Sequence, residues 1–305
     1  MIALYFVFCD ADATRAATSL QEKMNAQALL LDSLNARWER YKTELTNCRN
    51  AFSEEAVHDF RVAARRLLAS LDLLRVLLRD AKIKKIRRML KDQLDNLDAL
   101  RDAQVMLADI SENIRDYPSL QPFKEYLQRR ERKLMRAARK EIKSLKIGEL
   151  ARRMRKLAEA VAESQPDGLD PLPAVDEAYA EVMQRYAQID PAQPATIHRL
   201  RIAFKKFRYM LESIYPLLES FPQDSMKRMH DYQTSMGEIQ DMEAAVQELA
   251  RFEKNAPKEY DHAPARAYYA EQHALAISRY LEDKGEVMTF WRAAPDQPFP
   301  KENQS

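Results

Sequence analysis

A chain of 305 residues, 46% hydrophobic and 31% charged, has apolar material for one large domain or two ordinary ones, which excludes a disordered protein. It holds only four glycines and its first proline is Pro118, so composition excludes a turn-rich β fold and favours helices. The net charge of +2 hides an imbalance: residues 1–165 carry 33 Lys and Arg against 24 Asp and Glu, and residues 166–305 carry 16 against 23.

In chain order, the apolar run 2–8 lacks a basic leader and is too short for a membrane span, which points to a packed or frayed N-terminus. Cys9 and Cys48 have no metal-ligand spacing and are expected as free thiols in a reducing cytoplasm. Apolar periodicity predicts helices at roughly 14–48, 53–79, 82–115, 119–145 and 147–163, then a linker from Ser164 to Pro173. Further helices are predicted at roughly 174–188, 195–219, 224–254 and 264–291, with Pro216 ending or kinking the helix that contains it. The expected organisation is a first helical bundle over 1–165, a second over 166–294 and a disordered tail over 295–305.

One segment is written twice. Val57-His58-Asp59-Phe60-Arg61-Val62-Ala63-Ala64-Arg65-Arg66-Leu67 reappears as Ile197-His198-Arg199-Leu200-Arg201-Ile202-Ala203-Phe204-Lys205-Lys206-Phe207. Leu97-Asp98-Ala99-Leu100-Arg101-Asp102 likewise returns as Met236-Gly237-Glu238-Ile239-Gln240-Asp241; His58 to Asp102 is 44 residues and His198 to Asp241 is 43. The matched spacing implies an all-α protein of two pseudo-two-fold-related antiparallel bundles, each a four-helix unit.

Within each copy the apolar residues fall at steps of three and four: Val57, Phe60, Ala64, Leu67, Leu71, Leu74 and Leu78, matched by Ile197, Leu200, Phe204, Phe207, Leu211, Ile214 and Leu218. One residue further round the helix stands a row of cations at the margin of that stripe: His58, Arg61 and Arg65, then His198, Arg201, Lys205 and Arg208, with Arg66 and Lys206 beside them. Like charges at helical neighbour spacing repel, and a polyanion across both rows would relieve them. A solvated surface explains any one of these residues, but not duplication of the whole row.

These paired segments, with Leu100-Arg101-Asp102 and Ile239-Gln240-Asp241, resemble the CHAD family, the conserved-histidine α-helical domain, and the likeness runs over about residues 20–292. The resemblance implies helical bundles that bind inorganic polyphosphate through a basic surface and associate with polyphosphate granules and their proteins in the cytoplasm. The positions that match are His58, Arg61, Arg65, Arg66, His198, Arg201, Lys205, Lys206 and Arg208; repeat position adds Lys85, Arg88 and Arg228. Gln240 stands where its counterpart is Arg101, so equal contributions from the two halves are not implied. Members are often joined to a triphosphate-processing CYTH domain, for which this chain has no room, and the expectation is binding without catalysis.

Other readings have weaker support. Glu55-x-x-His58 fits a di-metal bundle motif, but the second copy opens Ala195-Thr196-Ile197-His198 without the acid, and Pro257 and Pro264 flank the other match, Glu259-x-x-His262. No phosphate loop, zinc-protease helix or nucleophile elbow is present, and no cofactor or metal site is expected. Nucleic acid is the closer rival, as another phosphate polymer, and weak binding by charge is expected; the rows lack interleaved aromatics for base stacking, since Tyr209 stands alone. The clusters Lys82, Lys84, Lys85, Arg87, Arg88 and Lys91, and Arg129, Arg132, Lys133, Arg136, Arg139, Lys140 and Lys143, read mainly as solvated helix surface. No membrane partner is expected.

Overall fold

The computed structural model describes residues 7–165, 169–218, 221–254 and 261–300, with side chains from Ala26 onward. The helices are α1 Val7–Asn50, α2 Glu54–Leu78, α3 Ala81–Asn113, α4 Gln121–Ser144, α5 Gly148–Glu163, α6 Leu172–Tyr186, α7 Ala195–Ile214, α8 Ser225–Glu253 and α9 Ala263–Asp283, and the described residues contain no strand. Outside them lie the N-terminal run up to Phe6, the side chain of Cys9, Pro166 to Gly168 of the expected linker, Glu259 and Tyr260, and the last five residues. Cys48 is free and buried.

Local chemistry sets the helix ends. The Ser53 hydroxyl accepts the Ala56 N–H at 3.1 Å, and Glu54 and Glu55 complement the positive end of α2. At the other end Arg79 turns left-handed (φ 49°) and Asp80 at once caps α3, accepting the Lys82 N–H at 2.7 Å. A two-residue hinge thus folds α3 back along α2. Pro216 lies in the 3-10 turn Tyr215–Leu217 that ends α7.

The last helix departs from expectation. It stops at Asp283 and tightens into a 3-10 turn, Lys284–Thr289, instead of running to 291. The tighter turn places Val287, Phe290 and Trp291 in the core, where the Tyr179 hydroxyl donates to the Val287 carbonyl at 3.0 Å. Further on, where composition predicts a free tail, Phe299 lays its ring against Trp291 (4.8 Å) and Phe221 (5.6 Å).

Two halves with the same neighbour pattern emerge. α1 packs on α2, α2 on α3 and α3 on α4, just as α6 packs on α7, α7 on α8 and α8 on α9. α2 meets α7, and α3 meets α8, so each of these pairs joins an element to its own repeat. α5 has no counterpart and covers α1 and α3. The apolar stripes of α2 and α7 are buried along almost their full length, from Val57 to Leu74 and from Ile197 to Ile214, and they belong to one core that continues through both halves. A smaller cluster, with Ile110, Phe123, Phe252 and Tyr269, joins the far ends of α3, α4, α8 and α9.

A shared core implies shared unfolding. The two tryptophans, Trp38 in α1 and Trp291 after α9, report on opposite halves. Urea unfolding followed through either tryptophan alone should give one midpoint, and Phe204→Ala, which removes a fully buried ring, should lower stability by about 3–5 kcal/mol and shift both signals together. Two separate midpoints would mean that the halves fold independently.

Candidate functional site

Because α2 packs on α7, the two cationic rows come together instead of facing solvent on separate surfaces. On α2, Arg61 is buried and donates to the Leu94 carbonyl (3.2 Å) and to Oδ1 of Asp98 (2.7 Å), both on α3. Arg65 follows one turn later, half-buried, with Nη2 3.9 Å from the same Asp98 carboxylate. Burial and then the neighbouring Arg61 depress its tendency to hold a proton.

On α7 the equivalent side chains meet a different environment. The repeat places Arg201 opposite Arg61 and Gly237 opposite Asp98, so Arg201 lacks the counterpart of the acid that pairs with Arg61. Burial, foremost, loosens its hold on a proton; Asp241 opposes this and Arg101 adds to it. A Cβ at Gly237 would lie 3.7 Å from Nη2 and 3.8 Å from Nε of Arg201: the guanidinium rests against α8 where a side chain is missing. Its Nε is buried with no hydrogen-bond partner. Asp241, one turn along α8, is taken by Arg101 of the other half in a bidentate pair at 2.5 and 3.2 Å.

Lys205, the repeat of Arg65, lies between these groups. Burial, then Arg65 and Arg201, pull its ammonium down to about 7, from an ordinary 10.5. Arg61, Arg65, Arg101, Arg201 and Lys205 thus converge from α2, α3 and α7 upon three carboxylates, Asp98, Asp102 and Asp241. Arg208 borders the cluster, buried, donating to Gln233 at 3.0 Å and stacked on the Tyr209 ring at 4.7 Å. The arrangement is an excess of partly desolvated cations at the junction of the halves.

Comparison with known proteins bears on this arrangement. The family model described as CHAD domain matches residues 15–250. The chain belongs to the CHAD family. The crystal structure of the CHAD domain from the plant Ricinus communis has the same fold, with a TM-score of 0.68 and 21% identity over 88% of this chain and 92% of that one. No curated protein matches.

The remaining expected CHAD positions scatter. His58 is exposed at the start of α2; His198 is half-buried, and its Nδ1 has no hydrogen-bond partner. Arg66 lies 3.3 Å from Glu212, and Lys206 donates to Glu181 at 3.0 Å, so each is already neutralised. Arg228 is held by Glu286 and Thr289, both at 2.8 Å, and pins the turn after α9. Lys85 and Arg88 are exposed on α3; Lys85 is thirteen residues before Asp98, about 20 Å along the helix. Among the described residues no group of three His, Cys, Asp or Glu is placed to hold a metal ion, and no helix is long and apolar enough to cross a membrane.

Sequence reasoning passed over Asp98, Gly237 and Asp241 as parts of the site. The signal was present in the repeat, as an acid facing a glycine at the matched position.

Two variants test the cluster without any ligand. A lysine whose proton is held less tightly folded than unfolded costs stability in full below pH 7, and the cost is relieved as pH rises above 7 toward its ordinary 10.5. Lys205→Met should therefore raise the melting temperature near pH 6–7 by about 2 °C or more, and the gain should shrink toward pH 10. Gly237→Asp should likewise stabilise the protein by supplying Arg201 with the carboxylate that Arg61 already has. A fall in melting temperature in both variants would show that the cluster is not self-repulsive.

Proposed function

We propose that this CHAD protein binds inorganic polyphosphate without turning it over, through the cations gathered where α2 and α3 meet α7 and α8. The observation that carries the reading is Arg201, seated against Gly237 with its buried Nε unpartnered, sharing Asp241 with Arg101 and lying beside Lys205, whose ammonium is pulled down to about 7. Such a cluster gains most from a ligand that brings several negative charges close together, and guanidinium forks match phosphate oxygens. Association with polyphosphate granules in the cytoplasm follows from the same reading.

Nucleic acid fits less well. Its phosphates are spaced by sugars, and single strands are held by open aromatic faces. Tyr209, the aromatic beside the cluster, is already faced by Arg208 at 4.7 Å.

The pH dependence of binding is expected from Lys205, which lies between Arg65 and Arg201, more than from the histidines. An anion restores its proton, so binding should tighten as pH falls from 8 to 6, through the value of about 7. Lys205→Arg should keep binding and flatten most of that dependence, whereas His58→Ala with His198→Ala should remove less of it. Arg65→Ala with Arg201→Ala deletes two charge-assisted hydrogen-bonding groups and should weaken polyphosphate binding by about 100-fold or more. The decisive measurement is titration with polyphosphate and single-stranded DNA at matched phosphate and salt. Equal or tighter binding of DNA, or parent-like binding by the Arg65/Arg201 variant, would overturn the proposal, and release of phosphate from the bound chain would make the protein an enzyme.

A further inference from the structure

α4 carries a second basic surface that the central cluster does not use. Its buried residues are Phe123, Leu127, Ala138 and Ile142. At 100° per residue, Arg129, Arg132, Lys133, Arg136, Arg139, Lys140 and Lys143 all lie within about 60° of the direction opposite Leu127. All seven are exposed. From Arg129 to Lys143 they form a band about 21 Å long, pointing away from the core.

This band is not laced by acids, as an ordinary solvated helix surface is. Among the described residues none of the seven has an ion-pair partner, although Arg130, outside the band on the same helix, is bound to Glu248 at 2.8 Å. The acids of the helix lie elsewhere: Glu125 precedes the band and accepts from Gln121, Glu131 is half-buried on the core side, and Glu141 accepts from Asn96. Nor is the band repeated. α9, which answers to α4 in the second half, has only Arg266 and Arg279, and Arg266 is tied to Glu253 at 2.6 Å. Seven adjacent like charges with no counter-charge repel one another along the helix. A linear polyanion laid along the band would remove that repulsion.

We propose that the outer face of α4 is a second polyphosphate-binding surface, so that one molecule bridges two polyphosphate chains or two stretches of one chain. This rests on the function proposed above, and it makes the protein a cross-linker of the polymer rather than a simple ligand of it. α3 separates the band from the central cluster: its Asn96 donates to Glu141 of α4, whereas its Asp98, two residues on and so about 160° round the helix, accepts from Arg61 of the cluster. A short chain therefore reaches one of them, and a long chain, or a second chain, is needed to engage both.

The test compares short polyphosphate, about ten units, with long polyphosphate, about a hundred, which alone can be bridged. Mixing the parent with the long chain at low salt should produce strong light scattering. Arg132→Gln, Arg136→Gln, Arg139→Gln and Lys143→Gln together keep helix propensity nearly constant and should cut scattering at least 10-fold, with affinity for the short chain within twofold of the parent. In the unaltered protein, the long chain should protect Lys133, Lys140 and Lys143 from acetylation, a readout that does not depend on the folding of any variant. No scattering by the parent, parent-like scattering by the four-site variant, or no protection would each overturn the proposal. Stronger scattering with single-stranded DNA at matched phosphate would replace the occupant by nucleic acid. The two readings fail separately: parent-like short-chain binding by a variant that joins Arg65→Ala/Arg201→Ala to the four α4 changes removes the central site, whereas scattering and lysine protection report on α4.

Discussion

The packing of α2 against its own repeat, α7, is the constraint from which the rest follows. Each helix buries an apolar stripe, and each carries its cations at the margin of that stripe. When the two stripes merge into one core, the margins must also meet, and residues of like charge are brought together at partial burial. Water is then too sparse to screen them fully, and the protein answers with the few carboxylates of α3 and α8. The site is therefore a by-product of core formation in position, while its charge balance is set by a handful of polar residues.

That balance is uneven. Asp98 answers Arg61, but Gly237 offers Arg201 no such acid, and Arg201 shares Asp241 with Arg101, which reaches across the junction to it. Gln240, the repeat of Arg101, bonds to Glu243 on its own helix at 3.2 Å. The second half is acidic in total, yet it holds Arg201, whose buried Nε has no hydrogen-bond partner, and Lys205, whose ammonium is pulled down to about 7. Net charge by segment is thus a poor guide to where an anion goes. What matters is which cations have lost both water and partner.

Helices, stripes and the repeat were readable from sequence because they depend on spacing within one segment, where geometry is known in advance. The fates of the cations were not. Arg61 and Arg65 occupy similar places on the same helix, yet one is buried against Asp98 and the other only half-buried, because α3 crosses nearer to the first. Lys206 and Arg228 were expected at the site and instead pair with Glu181 and Glu286, which are 25 and 58 residues away in sequence. Partners at such distances depend on how helices cross, which periodicity does not encode. The end of α9 escaped for the same reason: the pull of Val287, Phe290 and Trp291 toward the core exists only once the other helices have formed it.

The shared core also bears on how the two copies can diverge. Had each half kept a core of its own, either could drift or be lost without consequence for the other. Here the buried stripes of both copies belong to one packed interior, so a change of volume in one is felt by the other. Polar positions are under no such bond. Differences between the copies should therefore accumulate in charge and not in shape, as Asp98 against Gly237, Arg101 against Gln240 and the basic α4 against the sparsely charged α9 already display. A duplicated fold of this kind keeps its symmetry in the interior and acquires its individuality on the polar residues around it.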